Sequence, residues 1–278
     1  MLAGLGLCEP ELGLLKLAQA AVRSAAPQLQ FSTGKDRLCI QFSPAQPPAN
    51  PLWSLEGVEP WQRDLALGLL TLSQRYRVLW HTGTHRGQAQ NGAFEECQDP
   101  QPSKGLQLTL ERPRRWWERP WLPRFKRLFD HRLNFIPLET TWDEQPSRRM
   151  ERLSAQAEAL VYAPEGQLWF PKQSFALEVH RRGEAGPLQL GYQSQGLAWM
   201  APGSRSWSQA CFVVHGVHLG FESNVLDRPG ITGIFCVSGL VTDLSGLHLV
   251  HGAEFRRFLE SLRPEIRWLD EIIQRGVH

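Results

Sequence analysis

A run of arginines interleaved with tryptophans and phenylalanines is the densest set of groups that could bind a ligand or a partner. It lies between Arg112 and Arg132. Such a mixture suits single-stranded nucleic acid, because cations attract phosphates and aromatic rings stack on bases. It also suits a protein interface, where Trp and Arg dominate binding, or packing of the rings on their own domain beneath the arginine stems. The residues that we predict to bind a partner are Arg114, Arg115, Trp116, Trp117, Trp121 and Arg124.

Two close pairs of histidines could hold a metal ion if they met in space: His215 with His218, and His248 with His251. No cysteine or carboxylate stands at ligand spacing from them, so we expect ordinary histidines at turns and strand ends, and no metal. GxSxG, P-loop and GxGxxG patterns are absent. The sequence therefore contains neither a nucleophile elbow nor a glycine-rich phosphate loop of these types.

The composition is that of a globular protein. With 278 residues, 42% of them hydrophobic, the chain can bury the core of one large or two medium domains. The net charge of +2 favours binding neither to nucleic acid nor to an acidic membrane. Five scattered cysteines without a CxxC motif predict reduced thiols, with Cys39 and Cys211 as small buried side chains. We expect a cytoplasmic protein with no signal peptide and no membrane span.

Hydrophobic periodicity predicts alternating helices and strands in the first half. Helices are expected at Glu11–Ala26, at Trp61–Tyr76 and around Phe125–Leu133. Strands are expected at Leu29–Phe31, Leu38–Phe42, Arg77–Thr82, Ala93–Cys97, Leu106–Glu111 and Phe135–Trp142. The pattern also predicts a turn over Gly83–Asn91, a proline-bearing turn before Leu106, and an irregular stretch from Pro113 to Pro123.

A polar, charged stretch at Asp143–Glu158 predicts a domain boundary, giving domains 1–145 and 146–278. Two helices are expected near the end, around Phe255–Leu262 and Ile266–Ile273, separated by Pro264. The strands predicted in the second domain are Ala159–Tyr162, Gln167–Phe170, Phe175–His180, Leu188–Tyr192, Gly196–Met200, Ala210–Val214 and Ile231–Val237.

The order strand, basic connector, helix and strand over Lys104–Trp142 resembles the end of the nucleotide-binding domain of the ninety-kilodalton heat-shock chaperones. Asp64–His81 resembles the helix and strand that follow the lid in that family. Ile231–Leu262 resembles its middle-domain strand, loop and helix. The resemblance implies an α+β protein: a two-layer α/β sandwich of the GHKL ATPase type, with a mixed sheet and helices on one face, followed by an α+β domain.

The ATP-site positions implied by this resemblance carry unsuitable residues. Lys16 stands where hydrolysing members have a catalytic Glu, Ala20 where they have a magnesium-binding Asn, and Phe42 where they have the adenine-binding Asp. Pro44 and Gln46 replace glycines, and Gly246 replaces a phosphate-contacting Arg. Phe cannot accept a hydrogen bond, and Pro lacks a backbone donor.

We therefore expect a chaperone-like protein-interaction module on a degenerate ATPase fold, with no ATP hydrolysis and no cofactor. Its protein partner is not identified by the sequence. Two alternatives stay open at this point. One is a divergent ATPase with a shifted site, and the other is a single-stranded nucleic-acid binder that uses the Arg112–Arg132 segment.

Overall fold

The computed structural model divides into two compact units, Met1–Ser147 and Arg148–His278. Both are α+β, each with one six-stranded mixed sheet and helices. The residues that the structure describes are 9–46, 55, 58–112, 121–133, 136–146, 159–163, 178–181, 195–199, 207–237 and 239–275. The strands expected at Gln167–Phe170 and Leu188–Tyr192 lie outside these ranges.

The described part of unit 1 contains three helices. Helix α1 spans Gly13–Arg23 after a 3-10 turn at Pro10–Leu12, α2 spans Pro60–Ser73, and α3 spans Leu122–Arg132. Prolines open α2 and α3 in the first turn, where no backbone donor is lost. The predicted irregular stretch therefore ends before Pro123, which lies inside α3.

Helices α1 and α2 pack very closely because two glycines face each other. A Cβ at Gly68 would lie 2.8 Å from Leu17 Cδ2 and 3.0 Å from the carbonyl oxygen of Gly13. A Cβ at Gly13 would lie 2.8 Å from the carbonyl oxygen of Gly68. The contact therefore places backbone against backbone, and the side chains of Leu17 and Leu72 fill the space around it.

The sheet of unit 1 has the strand order β3-β4-β2-β1-β5-β6. Neighbours are antiparallel except β1 and β5, which are parallel. The strands are β1 Gln28–Gly34, β2 Arg37–Phe42, β3 Arg77–Gln90, β4 Ala93–Glu111, β5 Glu139–Trp142 and β6 Gln145–Pro146.

One face of this sheet is buried and the other is open. Alternate residues such as Phe31 and Ile40 are almost fully buried, whereas their neighbours Gln30 and Gln41 are exposed. Phe31 contacts Phe129 of α3 at a ring-centroid distance of 5.4 Å, so the buried face lies on the helices. This is the two-layer arrangement with helices on one face that the sequence predicts.

The predicted turn at Gly83–Asn91 is wrong. Strand β3 continues through it, with register shifts around Gly83, and the chain turns only at Asn91-Gly92, whose φ angles are 52° and 77°. Asn-Gly is the residue pair that tight hairpin turns favour, because both positions need a positive φ. The proline-bearing turn predicted before Leu106 is also wrong, since β4 is continuous there, and β5 is shorter than predicted.

Unit 2 contains a second sheet with the order β11-β10-β12-β9-β7-β8. Among the strands that the structure describes here, β10 and β12 are parallel and the other neighbours are antiparallel. Helices α4, Ala253–Ser261, and α5, Arg263–Arg275, follow it, with Pro264 at the start of α5 as predicted. Strand β11 was not predicted. The strands are β7 Ala159–Ala163, β8 Glu178–Arg181, β9 Gln195–Trp199, β10 Gln209–Val214, β11 Val217–Ser223 and β12 Ile231–Cys236.

Aromatic side chains fill the core of unit 2. Phe212 of β10 lies 5.4 Å from Phe255 and 6.1 Å from Phe258 of α4, measured between ring centroids.

Cys211 is fully buried, and burial raises the pKa of the Cys236 thiol to about 12. Within the described residues, no helix is both long enough and apolar enough to cross a membrane.

We predict that Gly68→Ala lowers the free energy of unfolding by about 1–3 kcal/mol, because the added methyl group forces α1 and α2 apart. Helix propensity alone would favour alanine by about 1 kcal/mol, so the sign of the change separates the two effects. Urea unfolding of the full chain measures it. Arg63→Ala, at an exposed position of α2, is the control and should change stability by less than about 0.5 kcal/mol. A Gly68→Ala protein that is as stable as the parent would contradict this account.

Candidate functional site

Lys16, at the position where the ATPase family would face a nucleotide, belongs to a buried cluster of ion pairs. Lys16 Nζ lies 2.6 Å from Asp64 Oδ1 and donates to Gln19 Oε1 at 2.7 Å. Arg23 Nη1 lies 3.0 Å from Asp64 Oδ2. Asp64 comes from α2 and both cations come from α1, so one carboxylate ties the two helices together.

Burial gives this cluster its importance. The Lys16 and Asp64 side chains are 3% and 7% exposed, whereas Arg23 is 32% exposed. A charged group with so little access to water needs a counter-ion, because removing one member of a buried pair leaves an uncompensated charge. The ammonium group of Lys16 is thus already neutralised by Asp64.

Ala20 and Phe42, the positions that would hold magnesium and adenine, lie in the hydrophobic core with 0% and 1% exposure. After β2 the chain is tied to the end of α1, because the Ala45 N–H donates to the Ser24 carbonyl at 2.9 Å. Pro44 is half-buried and Gln46 is exposed beside this link. The three helix and strand positions therefore serve packing and ion pairing.

Gly246, the sixth of these positions, lies in unit 2 and closes a tight turn. Its φ is 68°, and its N–H donates to the Asp243 carbonyl at 2.9 Å. The Asp243 carboxylate accepts from Ser245 Oγ at 2.6 Å and from the Leu247 N–H at 3.3 Å, and lies 3.3 Å from His248 Nδ1. Partial burial raises the pKa of Asp243, but these donors and His248 outweigh it and hold the pKa below its usual value.

This turn brings Ser, Asp and His together without forming a nucleophilic triad. Both Ser245 and His248 contact the Asp243 carboxylate, whereas a triad needs the serine hydroxyl on the histidine. The arrangement is a side-chain-capped turn, in which the carboxylate satisfies backbone N–H groups.

Two of the predicted partner-binding residues belong to a cluster inside unit 1. Trp121 is 7% exposed and packs on Tyr76, with ring centroids 5.0 Å apart. Arg124 Nη1 lies 3.5 Å from Glu11 Oε1, which also accepts the Tyr76 hydroxyl at 3.1 Å. Burial and Glu11 raise the pKa of Tyr76 well above its usual value. Trp121 thus packs on its own domain, and the predicted residues Arg114, Arg115, Trp116 and Trp117 lie outside the described ranges.

The histidines of unit 2 are distributed among separate contacts. His251 Nε2 lies 3.0 Å from Glu222 Oε1 and its ring stacks on Phe255, while His248 contacts Asp243. His215 lies in the turn between β10 and β11, and His218 is buried in β11. Among the described residues, no three metal-ligating side chains lie together.

The open face of the first sheet carries a groove of about 670 Å³ that the sequence pattern does not anticipate. The outer part of the β3–β4 hairpin folds back beyond the register shifts around Gly83, because Gln88 bonds to Arg77 and Gly87 lies against Trp80. The Asn91 N–H at the hairpin tip donates to the Ser73 carbonyl at 2.6 Å. The groove is lined by Arg77, Leu79, Trp80, His81, Arg86, Gly87, Gln88, Glu95, Glu96, Gln107 and Thr109.

A hydrogen-bonded chain crosses this groove. Arg77 donates to Gln88 Oε1 from Nε at 3.1 Å and from Nη2 at 2.6 Å, and Gln88 donates to Glu95 Oε2 at 2.6 Å. Gly87 is needed for the close approach, because a Cβ there would overlap the Trp80 ring and the Glu95 carbonyl. The outer part of the hairpin therefore packs against its own base.

Comparison with known proteins finds similarity of structure only. No family model matches the chain, and no curated protein matches it in sequence. The B subunit of DNA gyrase from Myxococcus xanthus is similar at 11% identity and a TM-score of 0.49, over 93% of this chain and 88% of that one.

The ATPase region of Saccharomyces cerevisiae topoisomerase II is similar at 6% identity and a TM-score of 0.47, over 95% of this chain and 84% of that one. The same region bound to ICRF-187 (dexrazoxane) gives 5% identity and a TM-score of 0.49, over 91% and 82%. At such values the likeness carries no information on activity, ligands or partners. None of these three is a heat-shock chaperone, so the resemblance to that family stays a prediction.

Sequence reasoning missed Asp64, although one feature points to it. An acidic residue beside Leu65, in the middle of an apolar helix, is typical of a buried ion pair, since a lone buried carboxylate would be costly. The groove could not be anticipated in the same way. Its walls come from a hairpin that the pattern divides into shorter strands and turns.

We predict that Asp64→Asn lowers the free energy of unfolding by about 3–5 kcal/mol, because Lys16 is left buried without its counter-ion. Urea unfolding followed by tryptophan fluorescence measures the change. Arg23→Ala removes only the more exposed of the two ion pairs and should lower the free energy of unfolding by about 0–1 kcal/mol. The double variant Lys16→Met with Asp64→Leu should regain most of the loss. Equal effects of Asp64→Asn and Arg23→Ala would contradict the assignment.

We predict that Asp243→Ala destabilises unit 2 by about 1 kcal/mol at pH 7, because the capped turn loses its acceptor. The folded-state pKa of Asp243 lies below its usual value near 3.8. Ionised Asp243 therefore stabilises the fold above about pH 4, and this contribution disappears as the pH falls through the lowered pKa. The difference between parent and variant should shrink between pH 5 and pH 2 in urea unfolding. Asp227→Ala, at an exposed salt bridge with Arg263, is the control; a difference that grows in acid would refute the proposed sign.

Proposed function

We propose that this protein is a chaperone-like protein-interaction module, built on a fold of the GHKL ATPase type and without ATP hydrolysis. The observation that carries the proposal is the use of Lys16 in a buried ion pair with Asp64. Ala20 and Phe42 support it, since both are buried in the core and neither offers a ligand for magnesium or a base. Binding a partner would then depend on surfaces outside the former nucleotide positions.

The side chains at positions 16, 20 and 42 also support the proposed absence of ATP hydrolysis. Phosphoryl transfer depends on metal ions and placed donors that neutralise charge as it develops on the phosphate. A lysine held by an adjacent carboxylate, an alanine and a phenylalanine supply none of these. Losing one such charge-stabilising group typically lowers a rate by about 10²–10³-fold, and several are lost together here.

A rigid unit 1 would help the proposed module to bind a protein partner. The close contact of α1 with α2 and the Glu11–Tyr76 hydrogen bond give a fixed frame on which exposed segments can be presented. We propose action in the cytoplasm, which agrees with Cys39, Cys211 and Cys236 forming no disulfide in the described part of the chain. Residues 113–120, which lie outside the described ranges and include Arg114, Arg115, Trp116 and Trp117, remain the proposed partner surface.

We predict that isothermal titration of the full chain with ATP and magnesium gives no saturable heat, and that phosphate release equals the buffer background. The reason is that the charge at Lys16 is neutralised within the fold. The Arg23→Ala variant and the Lys16→Met variant are titrated in parallel. Micromolar ATP binding that either variant loses would overturn the proposal and favour a divergent ATPase with a shifted site.

A further inference from the structure

The groove beside the β3–β4 hairpin is a concave site with two walls that come from one continuous stretch of chain. Residues 77–81 of β3 and 107–109 of β4 contribute the inner wall, and the hairpin residues between 86 and 96 contribute the outer one. The Asn91 N–H donates to the Ser73 carbonyl at 2.6 Å, which fixes the hairpin tip on unit 1. The volume of about 670 Å³ lies within the range of about 300–1,000 Å³ that small-molecule sites have in proteins.

Opposite charges in the lining of this groove cancel. Arg77 and Arg86 are positive, Glu95 and Glu96 are negative, and His81 counts as neutral at pH 7. An anionic ligand would lie against the two carboxylates and a cationic ligand against the two guanidinium groups, so neither is favoured. A purely apolar ligand would remove water from all four charges, which costs free energy. These exclusions favour an uncharged ligand that forms many hydrogen bonds.

The hydrogen-bonded chain in the groove keeps further donors and acceptors for such a ligand. Arg77 donates to Gln88 from Nε at 3.1 Å and from Nη2 at 2.6 Å, whereas a guanidinium group has five N–H groups. Glu95 accepts from Gln88 through Oε2 at 2.6 Å, whereas a carboxylate accepts up to about four hydrogen bonds. Because these bonds already fix the three side chains, a ligand would cost them little additional conformational entropy.

Amide, hydroxyl and apolar groups complete the lining. Gln107 and Thr109 of β4 can each donate and accept a hydrogen bond. Leu79, the half-buried neighbour of Thr109 on β3, and Trp80 supply the apolar part. A sugar ring matches this mixture, because its hydroxyl groups both donate and accept while the C–H groups on its faces are apolar. A peptide backbone offers only one N–H and one C=O per residue.

We propose that this groove binds a neutral oligosaccharide. Glu95 and Glu96 accept hydrogen bonds from its hydroxyl groups, and Arg77 and Gln107 donate to them. The inner wall extends about 13 Å from residue 77 to residue 81, which is longer than a single sugar ring. The inference goes beyond the proposed function, because it assigns a small-molecule ligand to a surface that the protein-interaction proposal does not use.

Three neutral probes, cellotriose, maltotriose and the N-acetylglucosamine trimer, are titrated into the full chain and followed by saturation-transfer difference NMR. The charged analogues with the same linkage as cellotriose are the glucosamine trimer, a cation, and cellotriuronic acid, an anion. We expect at least one neutral trimer to bind with a Kd on the order of 1 mM or tighter. It should bind at least about threefold more tightly than either charged trimer, because each of these meets like charges in the groove.

A matched pair of variants locates the site. Gln107 and Gln41 are cross-strand neighbours and both are exposed, but Gln107 lines the groove and Gln41 lies outside it on β2. Gln107→Ala should weaken binding of the neutral trimer by about three- to tenfold through lost hydrogen bonds, whereas Gln41→Ala should leave it within about twofold. Glu95→Gln removes one negative charge and should improve binding of cellotriuronic acid relative to cellotriose by at least about threefold. Circular dichroism checks that each variant keeps the fold.

The proposal is wrong if none of the three neutral trimers binds, if a charged trimer binds more tightly, or if Gln41→Ala weakens binding as much as Gln107→Ala does. Triglycine with free ends is a zwitterion, and tighter binding of triglycine than of the neutral trimers would assign the groove to a peptide instead. These outcomes are independent of the ATP titration. Failure of sugar binding removes the groove site alone, whereas saturable ATP binding removes the proposed function.

Discussion

The bond between Asp64 and Lys16 is the constraint on which the first unit depends. It joins α1 to α2 inside a region where water is nearly excluded, at the same interface where Gly13 and Gly68 let the backbones touch. A buried ion pair gives little net stability compared with apolar packing, but breaking it leaves a charge without compensation. A shift of α1 along α2 would separate the two buried charges, so the pair opposes such a shift.

That constraint also defines what α1 can do. A lysine ammonium that already has a carboxylate partner at 2.6 Å is neutralised before any phosphate approaches. Ala20, one turn further along, has no polar atom in its side chain and is fully buried. Helix α1 is thus a core element, and the surfaces open to other molecules lie elsewhere in the unit.

The open face of the first sheet differs from α1, because it borders a groove and is not part of the core. Gly87 lets the bent β3–β4 hairpin rest on Trp80, and the Arg77–Gln88–Glu95 chain holds it there. These contacts shape the groove and hold the outer part of the hairpin against the first residues of β3.

The local pattern of hydrophobic, polar and proline residues was enough to predict many of the helices and strands. Helices α1, α2, α4 and α5, the β1–β2 hairpin, the run at Leu106–Glu111 and the α+β class all follow from hydrophobic period and from proline, since these depend on near neighbours. The identities of Lys16, Ala20 and Phe42 likewise follow from the sequence, whatever the fold. Tertiary structure alone decided the partner of Lys16, the burial of Trp121, the continuity of β3 and β4, and the groove between them. Each of these joins residues that are distant in sequence or depends on how a bend is packed, and periodicity contains no information about which faces meet.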